Sequence, residues 1–301
     1  MSASTLVIVK AQATDMGRKL TAFVLALPTL LWWAMFLVAP LLLVLVYAFF
    51  TRGTYGGVVP GFTFDNLIRV FDGLYLRIFL DTVRISAITA IVSLVIGYTA
   101  AYAIVRLPSR WQMPMLFLIM LPFWSNYLLR TYAWILLLNR AGVVNSVLMS
   151  TGVINSPLDM LYTEGAVIVG LVYNFLPFVV LSTYSAIQRL NFELLEASED
   201  LGAPAWRTFV YVTLPLTMPG IAVGGVFAFV LSVGNFVTAE LLGGRKVTMI
   251  GNLVQNQFAV ARDWPFGAAL GLVLLTIMVG LLAAQSWIQL RGRKLEDPLH
   301  A

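Results

Sequence analysis

Four carboxylates lie close together at Glu193, Glu196, Glu199 and Asp200, in a polar, helix-prone stretch between two long apolar segments. Apolar residues alternate with them at helical spacing, which predicts a short amphipathic helix. A charged helix held between two apolar segments favours the docking of a partner over catalysis. We therefore predict a docking loop at this position.

The remaining composition argues against several kinds of catalytic site. The chain has no cysteine, and its single histidine, His300, is next to the last residue. A serine hydrolase would need a base and a metal site would need clustered ligands, neither of which the apolar segments supply. The segment from Gly243 to Val247 lacks the residue order of a phosphate-binding Walker loop. We predict no catalytic residue, no metal and no cofactor in this chain.

Hydrophobic residues make up 60% of the chain and charged residues 11%, which places it in a lipid bilayer. Its basic residues stand singly or in pairs at the ends of apolar runs, a pattern that follows membrane topology and argues against nucleic acid. The expected environment is therefore membrane lipid. We predict an all-α integral membrane protein.

Six apolar runs have the length of a membrane span. The run from Leu20 to Phe50 is too long for a cleaved signal peptide, so we expect a retained first span. Residues 1–19 precede a span domain of residues 20–290, and residues 291–301 form a tail. An even number of spans puts both ends on one side, and Arg291, Arg293 and Lys294 favour the cytoplasm. The predicted spans are Leu20–Phe50, Leu80–Val105, Met113–Leu138, Gly165–Ile187, Leu216–Leu241 and Phe266–Leu290.

The predicted docking loop covers residues 188–215. Gly202 can end its first helix in the left-handed conformation, and Pro204 can open a second helix. The second piece, Trp206–Val212, is expected to lie at the headgroup boundary. We expect Leu214 and Pro215 to begin the fifth span.

Small residues four apart, as at Gly220 and Gly224 or Gly267 and Gly271, allow helix backbones to approach closely. We expect packing within this chain rather than a subunit interface.

Polar residues inside spans are costly and therefore mark a solute pathway. Arg130 is expected to extend to the membrane surface, and Glu240 to pair with Arg245. Asn174 and Asn235 fit solute contact and helix-to-helix bonding equally well. The candidate pathway residues are Trp124, Tyr127, Arg130, Asn174, Asn235 and Glu240.

The docking loop resembles the EAA loop of permease subunits of ABC-type importers. The resemblance rests on Glu196-Ala197-Ser198, on Gly202 and on Leu214-Pro215, with Ser198 in place of the usual second alanine. It implies the six-helix architecture of type I importer permeases. It also implies that the loop's first helix sits in a groove of the ATPase subunit and couples ATP hydrolysis to transport.

Further phrases resemble the spermidine/putrescine permeases, specifically the first of their two permease subunits. They are RTYAW at residues 130–134, GLVYNFLPF at 170–178, LLGG at 241–244, MIGNLVQNQF at 249–258 and ARDWPFGAAL at 261–270. The resemblance implies a bacterial inner membrane location, a second permease, an ATPase dimer that binds ATP and Mg, and an extracytoplasmic solute-binding protein.

The expected solute is small, polar and amine-bearing. Asn235 and Ala239 stand where that subgroup usually has an acid and a proline, and fixed acids favour multiply charged cations. Importers of opine, amino-acid-like or phosphonate-like solutes therefore stay open as alternatives. An ion-driven transporter is a remote alternative, because the spans hold no acid beyond Asp81 and Glu240 near their ends.

Overall fold

The structure is a computed structural model that describes residues 25–296, with side chains for residues 25–287. It contains six helical segments that are long and apolar enough to cross a membrane, so the predicted six-span all-α fold is confirmed. The predicted segment of residues 1–19 and the end of the tail lie outside the described residues. The six segments are α1 (Leu25–Ala48), α3 (Gly73–Val105), α5 with α6 (Tyr127–Ser150), α7 (Glu164–Gln188), α9 (Ala205–Val233) and α11 (Trp264–Glu296).

Shorter elements connect these spans. Two short strands, β1 (Thr51–Arg52) and β2 (Val58–Val59), pair in an antiparallel hairpin that the sequence had not indicated. The helical connections are α2 (Asp65–Val70), α4 (Ser109–Met120), α8 (Glu193–Asp200) and α10 (Ile250–Ala259). Within the third of the six segments found in the structure, α5 covers Tyr127–Leu138 and α6 covers Val143–Ser150.

The helices α3, α7 and α9 pack against one another and form the centre of the bundle. Gly220 and Gly224 of α9 lie against Ala186 and Ser182 of α7, so a side chain at either glycine would collide with α7. The prediction that this glycine pair packs within the chain is confirmed. Gly271, by contrast, has no atom within 4 Å of the position of an added Cβ.

The third predicted span, Met113–Leu138, is not one continuous helix. After α4 the chain forms a 3₁₀ turn over Leu121–Trp124, and Ser125 is extended. The side chain of Asn126 then accepts a hydrogen bond from the backbone N–H of Leu128 and begins α5. The break follows Pro122, which has no N–H to donate, and a capping asparagine that favours a new helix start.

The fifth span begins at Ala205 rather than at Leu216, and the piece from Trp206 to Val212 is part of it rather than a separate interfacial helix. A π-helical turn over Phe209–Thr213 precedes Pro215, and the N–H of Leu214 donates to the carbonyl of Phe209. The wider turn shifts the hydrogen-bond pattern just before Pro215, so the helix continues through a residue without an N–H. Leu214 and Pro215 begin the regular α-helical part of this segment, Leu214–Val233, but the helical segment already starts at Ala205.

The same span ends at Val233, not at Leu241. Asn235 interrupts the helix, because its side-chain oxygen accepts a hydrogen bond from the N–H of Thr238 at 2.9 Å. Another π-helical turn follows over Ala239–Gly243. We call the end of the bundle that carries α8 the loop end, and the end that carries residues 49–72, 139–163 and 234–263 the far end.

The far end is held together around a buried carboxylate. Asp263 is 2% exposed and pairs with Arg69 of α2 at 2.9 Å. Burial opposes the charge of Arg69, but hydrogen bonds to Tyr75 and Asp263 outweigh it and raise the pKa of Arg69 above its ordinary value. These contacts attach the first loop to the beginning of α11.

Candidate functional site

The loop between α7 and α9 is a rigid helical turn. The side chain of Asn191 accepts a hydrogen bond from the N–H of Glu193 at 3.0 Å and begins α8. Gly202 has a φ of 82°, and its N–H donates to Glu199 while the N–H of Ala203 donates to Ser198. This pair of bonds is the Schellman motif, so the predicted left-handed end of the helix at Gly202 is confirmed.

The outer surface of α8 is available to a partner. Glu196 and Ala197 are exposed, and Ser198 is half-buried. Two apolar side chains beside them, Leu194 and Leu201, are 49% and 89% exposed. Exposed leucines beside carboxylates are a composition found on protein-binding surfaces.

The remaining two predicted loop residues lie elsewhere. Leu214 and Pro215 belong to the interior of α9, about 15 Å along the helix axis from its start at a rise of 1.5 Å per residue. The structure therefore brings Glu196, Ala197, Ser198 and Gly202 together, and places Leu214 and Pro215 behind the π turn.

Three of the predicted pathway residues meet in one polar cluster, which we define as Tyr127, Asn174, Asn235 and Thr238. The hydroxyl of Tyr127 bonds with Thr238, and Asn235 donates to the same Tyr127 hydroxyl. Asn174 reaches Thr238 at 3.5 Å. The cluster thus joins α5, α7 and the segment that follows α9.

The polar cluster contains an unused acceptor. Asn174 is 2% exposed, and its side-chain oxygen has no hydrogen-bond partner among residues 25–287. A buried amide oxygen without a donor costs free energy until a donor reaches it. The site is therefore chemically suited to accept a hydrogen bond from a passing N–H group.

Arg130 does not extend to the surface as the sequence had suggested. It is 8% exposed, and its guanidinium lies 5.3 Å from the ring centre of Phe123 and 5.6 Å from that of Tyr127. Arg130 lies three residues after Tyr127, so the two side chains share one face of α5. This face is turned toward the interior of the bundle. Trp124, by contrast, is 75% exposed and contacts Phe117 rather than the cluster.

Glu240 is exposed and does not pair with Arg245 within the described side chains. Its carboxylate accepts a hydrogen bond from Asn252 at 3.4 Å. The π turn over Ala239–Gly243 directs Glu240 toward a depression of about 310 Å³ that Tyr132, Gln255 and Asn256 also line. A carboxylate beside a tyrosine ring is a suitable surface for an organic cation.

Thr238 is the cluster residue that sequence reasoning missed. It is fully buried and contacts both Tyr127 and Asn174, which are 111 and 64 positions away. Its position between Asn235 and Glu240, two residues that the sequence had identified, could have indicated that Thr238 belongs to the same cluster. Among the residues whose side chains are described, no group of three or more His, Cys, Asp or Glu could hold a metal ion.

Residues 102–294 match the family described as "Binding-protein-dependent transport system inner membrane component". The chain is 39% identical over 267 residues to the spermidine/putrescine transport system permease protein PotB of Escherichia coli (strain K12), covering 88% of this chain and 97% of that protein. It is 33% identical over 276 residues to the inner membrane ABC transporter permease protein YdcU of the same organism, covering 87% of each chain.

The fold agrees with that of solved transporters. A chain of a bacterial alginate ABC transporter in complex with a pentasaccharide-bound periplasmic protein superposes with a TM-score of 0.75 at 19% identity, covering 92% of this chain and 96% of that chain. The relatives are transport subunits rather than enzymes. The chain therefore belongs to the family of multi-pass inner membrane permeases of binding-protein-dependent ABC importers.

Proposed function

We propose that this chain forms half of the translocation pathway of an ATP-driven importer for a small polyamine of the spermidine or putrescine kind. The observation that carries the proposal is the 39% identity to PotB across 88% of the chain. A second permease forms the other half, a dimer of ATPase subunits binds ATP and Mg, and an extracytoplasmic binding protein delivers the solute.

Coupling is assigned to the loop end, which faces the cytoplasm together with both termini. Glu196, Ala197 and Ser198 lie on the helix that contacts the ATPase, and Gly202 fixes its end. Leu214 and Pro215 act inside α9, where the π turn connects the loop to the span. Because α8 is tied by short connections to α7 and α9, a rigid-body displacement of α8 reaches both spans.

The far end supplies the solute pathway. Glu240 and Tyr132 attract the ammonium groups at the entrance, and Trp124 offers a further exposed ring. Deeper in the protein, the free oxygen of Asn174 accepts a hydrogen bond from an N–H of the solute, beside Tyr127 and Asn235. The charge of Arg130 keeps this contact weak, and a pathway needs weak contacts because the solute must leave.

The test is uptake of radiolabelled putrescine and spermidine into vesicles that contain the chain and its partner subunits. Wild-type vesicles are expected to accumulate solute only with ATP inside and binding protein outside. Glu196→Lys is expected to lower uptake at least about tenfold, since replacing an ion pair by repulsion costs more than ~1.4 kcal/mol.

Asp159→Lys is the matched control, because it makes the same charge change at an exposed far-end carboxylate. Its uptake should stay within about twofold of wild type. Undiminished, ATP-independent uptake by the Glu196→Lys protein would refute the coupling assignment.

A further inference from the structure

An aromatic cluster joins α9 to α3 directly behind the coupling loop. We define it as Tyr98, Tyr102 and Phe209. The ring of Phe209 meets that of Tyr98 edge-on at 5.7 Å and that of Tyr102 at 6.0 Å, while the two tyrosines stack at 6.2 Å. Edge-on contacts at this spacing are the favoured arrangement of aromatic pairs. Phe209 is therefore fixed between two rings of α3.

Two polar contacts reinforce this junction. The hydroxyl of Tyr98 lies 3.3 Å from that of Thr217, which is on the other side of the π turn from Phe209. Arg106 donates to the hydroxyl of Tyr102 at 2.6 Å and lies over its ring. As a result α3 contacts α9 at the first residue of the π turn, Phe209, and again beyond the end of the turn, at Thr217.

The position of the cluster matters because the π turn is the irregular part of α9. The turn begins at Phe209 itself. A displacement of α8 moves the first turn of α9, which precedes the π turn. The π turn interrupts the regular hydrogen-bond ladder, so α9 can bend at that point and the rest of the helix then stays in place. Val210 and Tyr211 of the turn are 42% and 72% exposed, so they provide no comparable attachment.

At its other end, α3 reaches the pathway segment. Thr82 is fully buried, and its hydroxyl accepts a hydrogen bond from the N–H of Ile250 at 2.9 Å. Ile250 begins α10, whose Asn252 contacts Glu240. The 33 residues of α3 span about 50 Å at 1.5 Å per residue, so one helix connects the coupling loop to the solute entrance.

We propose that Phe209 is a positioning residue for transport, which transmits the displacement of the coupling loop to α3 through Tyr98 and Tyr102. The inference rests on the proposed function, because it assumes that an ATPase displaces α8. Without the ring of Phe209, α8 still binds the ATPase, but its movement is absorbed at the π turn.

The experiment measures two quantities in the same vesicles: ATP hydrolysis with and without solute-loaded binding protein, and solute uptake. Phe209→Ala is expected to keep basal hydrolysis within about twofold of wild type. Stimulation of hydrolysis by the binding protein should fall toward onefold, and uptake per ATP should fall at least about fivefold, equivalent to ~1 kcal/mol of lost coupling. Phe209→Tyr retains the ring and should restore both ratios.

Two Tyr→Phe substitutions, at Tyr98 and Tyr211, keep the ring in place and therefore test the proposal with little risk of misfolding. Tyr98→Phe removes only the hydroxyl contact with Thr217 and should lower binding-protein stimulation about two- to fourfold, in keeping with one hydrogen bond. Tyr211→Phe is the matched control, since it makes the same change at an exposed residue of the same turn, and it should match wild type.

Equal losses of basal hydrolysis and uptake in Phe209→Ala, or wild-type stimulation in both Phe209→Ala and Tyr98→Phe, would overturn the proposal. Failure of the proposed solute gives a different result. Putrescine and spermidine would then neither load the binding protein nor be taken up, so wild type itself would show no stimulation and no uptake, whereas failure of the Phe209 proposal leaves both intact in wild type and in Phe209→Ala.

Discussion

The hydroxyls of Ser198 and Thr208 lie 2.9 Å apart and join α8 to the first turn of α9. Thr208 is 4% exposed, so its hydroxyl has little access to water when this bond is absent. The bond thus fixes the angle between the two helices on the loop side of Phe209.

Removing this bond should weaken coupling without unfolding the protein. Ser198→Ala leaves the buried Thr208 hydroxyl without this partner, at a cost of about 1 kcal/mol. ATP-dependent uptake is expected to fall about two- to fivefold, measured in vesicles with the partner subunits. Ser185→Ala, a half-buried serine of α7, is the control and should transport like wild type. An unchanged rate for Ser198→Ala would show that the bond is dispensable.

The left-handed end of α8 offers a second test. Gly202→Ala forces a side chain into a φ of 82°, at a cost of about 1–2 kcal/mol. We expect uptake to fall about three- to tenfold because the end of α8 shifts relative to Glu196. Gly152 has a φ of 72° at the far end, so Gly152→Ala imposes similar strain away from the loop. Equal losses in both variants would point to stability rather than coupling.

The helix α8 was predictable from the sequence because its signals are local. Amphipathic spacing, Gly202 and the following Pro204 each act within a few residues of the helix that they delimit. The unbroken helix from Ala205 through Pro215 was not predictable, because a proline usually marks the first turn of a helix. Whether the chain begins a helix there depends on the π turn before it.

The polar cluster was predictable only in part. Polar residues in apolar spans identified Tyr127, Asn174 and Asn235, which do meet. Thr238, which contacts both Tyr127 and Asn174, was not predictable, because these contacts join segments that are distant in the sequence. Threonine is also common in membrane helices, so its presence alone is no signal. The burial of Arg130 was missed because hydropathy does not show which face of α5 turns inward.

The polar cluster predicts a gain of function. Asn235→Asp retains the acceptor for the N–H of Thr238 and adds a carboxylate to the polar cluster. A fixed negative charge attracts a cationic solute, so the KM for putrescine uptake should fall about three- to tenfold. Asn139→Asp, an exposed far-end residue, serves as control. A KM that rises in Asn235→Asp and stays constant in the control would exclude a cation-binding role for the cluster.

The ion pair at the far end predicts a difference in stability. Asp263→Asn removes a charge-assisted bond to Arg69, which remains partly exposed, at an expected cost of about 1–3 kcal/mol. The apparent Tm in detergent should fall by ~2–6 °C. Glu164→Gln, which breaks the exposed pair with Arg84, should change it by no more than ~2 °C. A larger fall in Tm for Glu164→Gln than for Asp263→Asn would show that Asp263 does not hold the far end together.

The proposed contact between α8 and the ATPase can be tested by crosslinking. Because the chain has no cysteine, Ala197→Cys introduces a single thiol on the exposed face of the helix. A photoactivatable reagent attached to that thiol in the assembled transporter is predicted to crosslink to the ATPase subunit, with a yield that changes when ATP is added. Crosslinking to lipid or to the extracytoplasmic binding protein, with none to the ATPase, would show that α8 does not bind the ATPase.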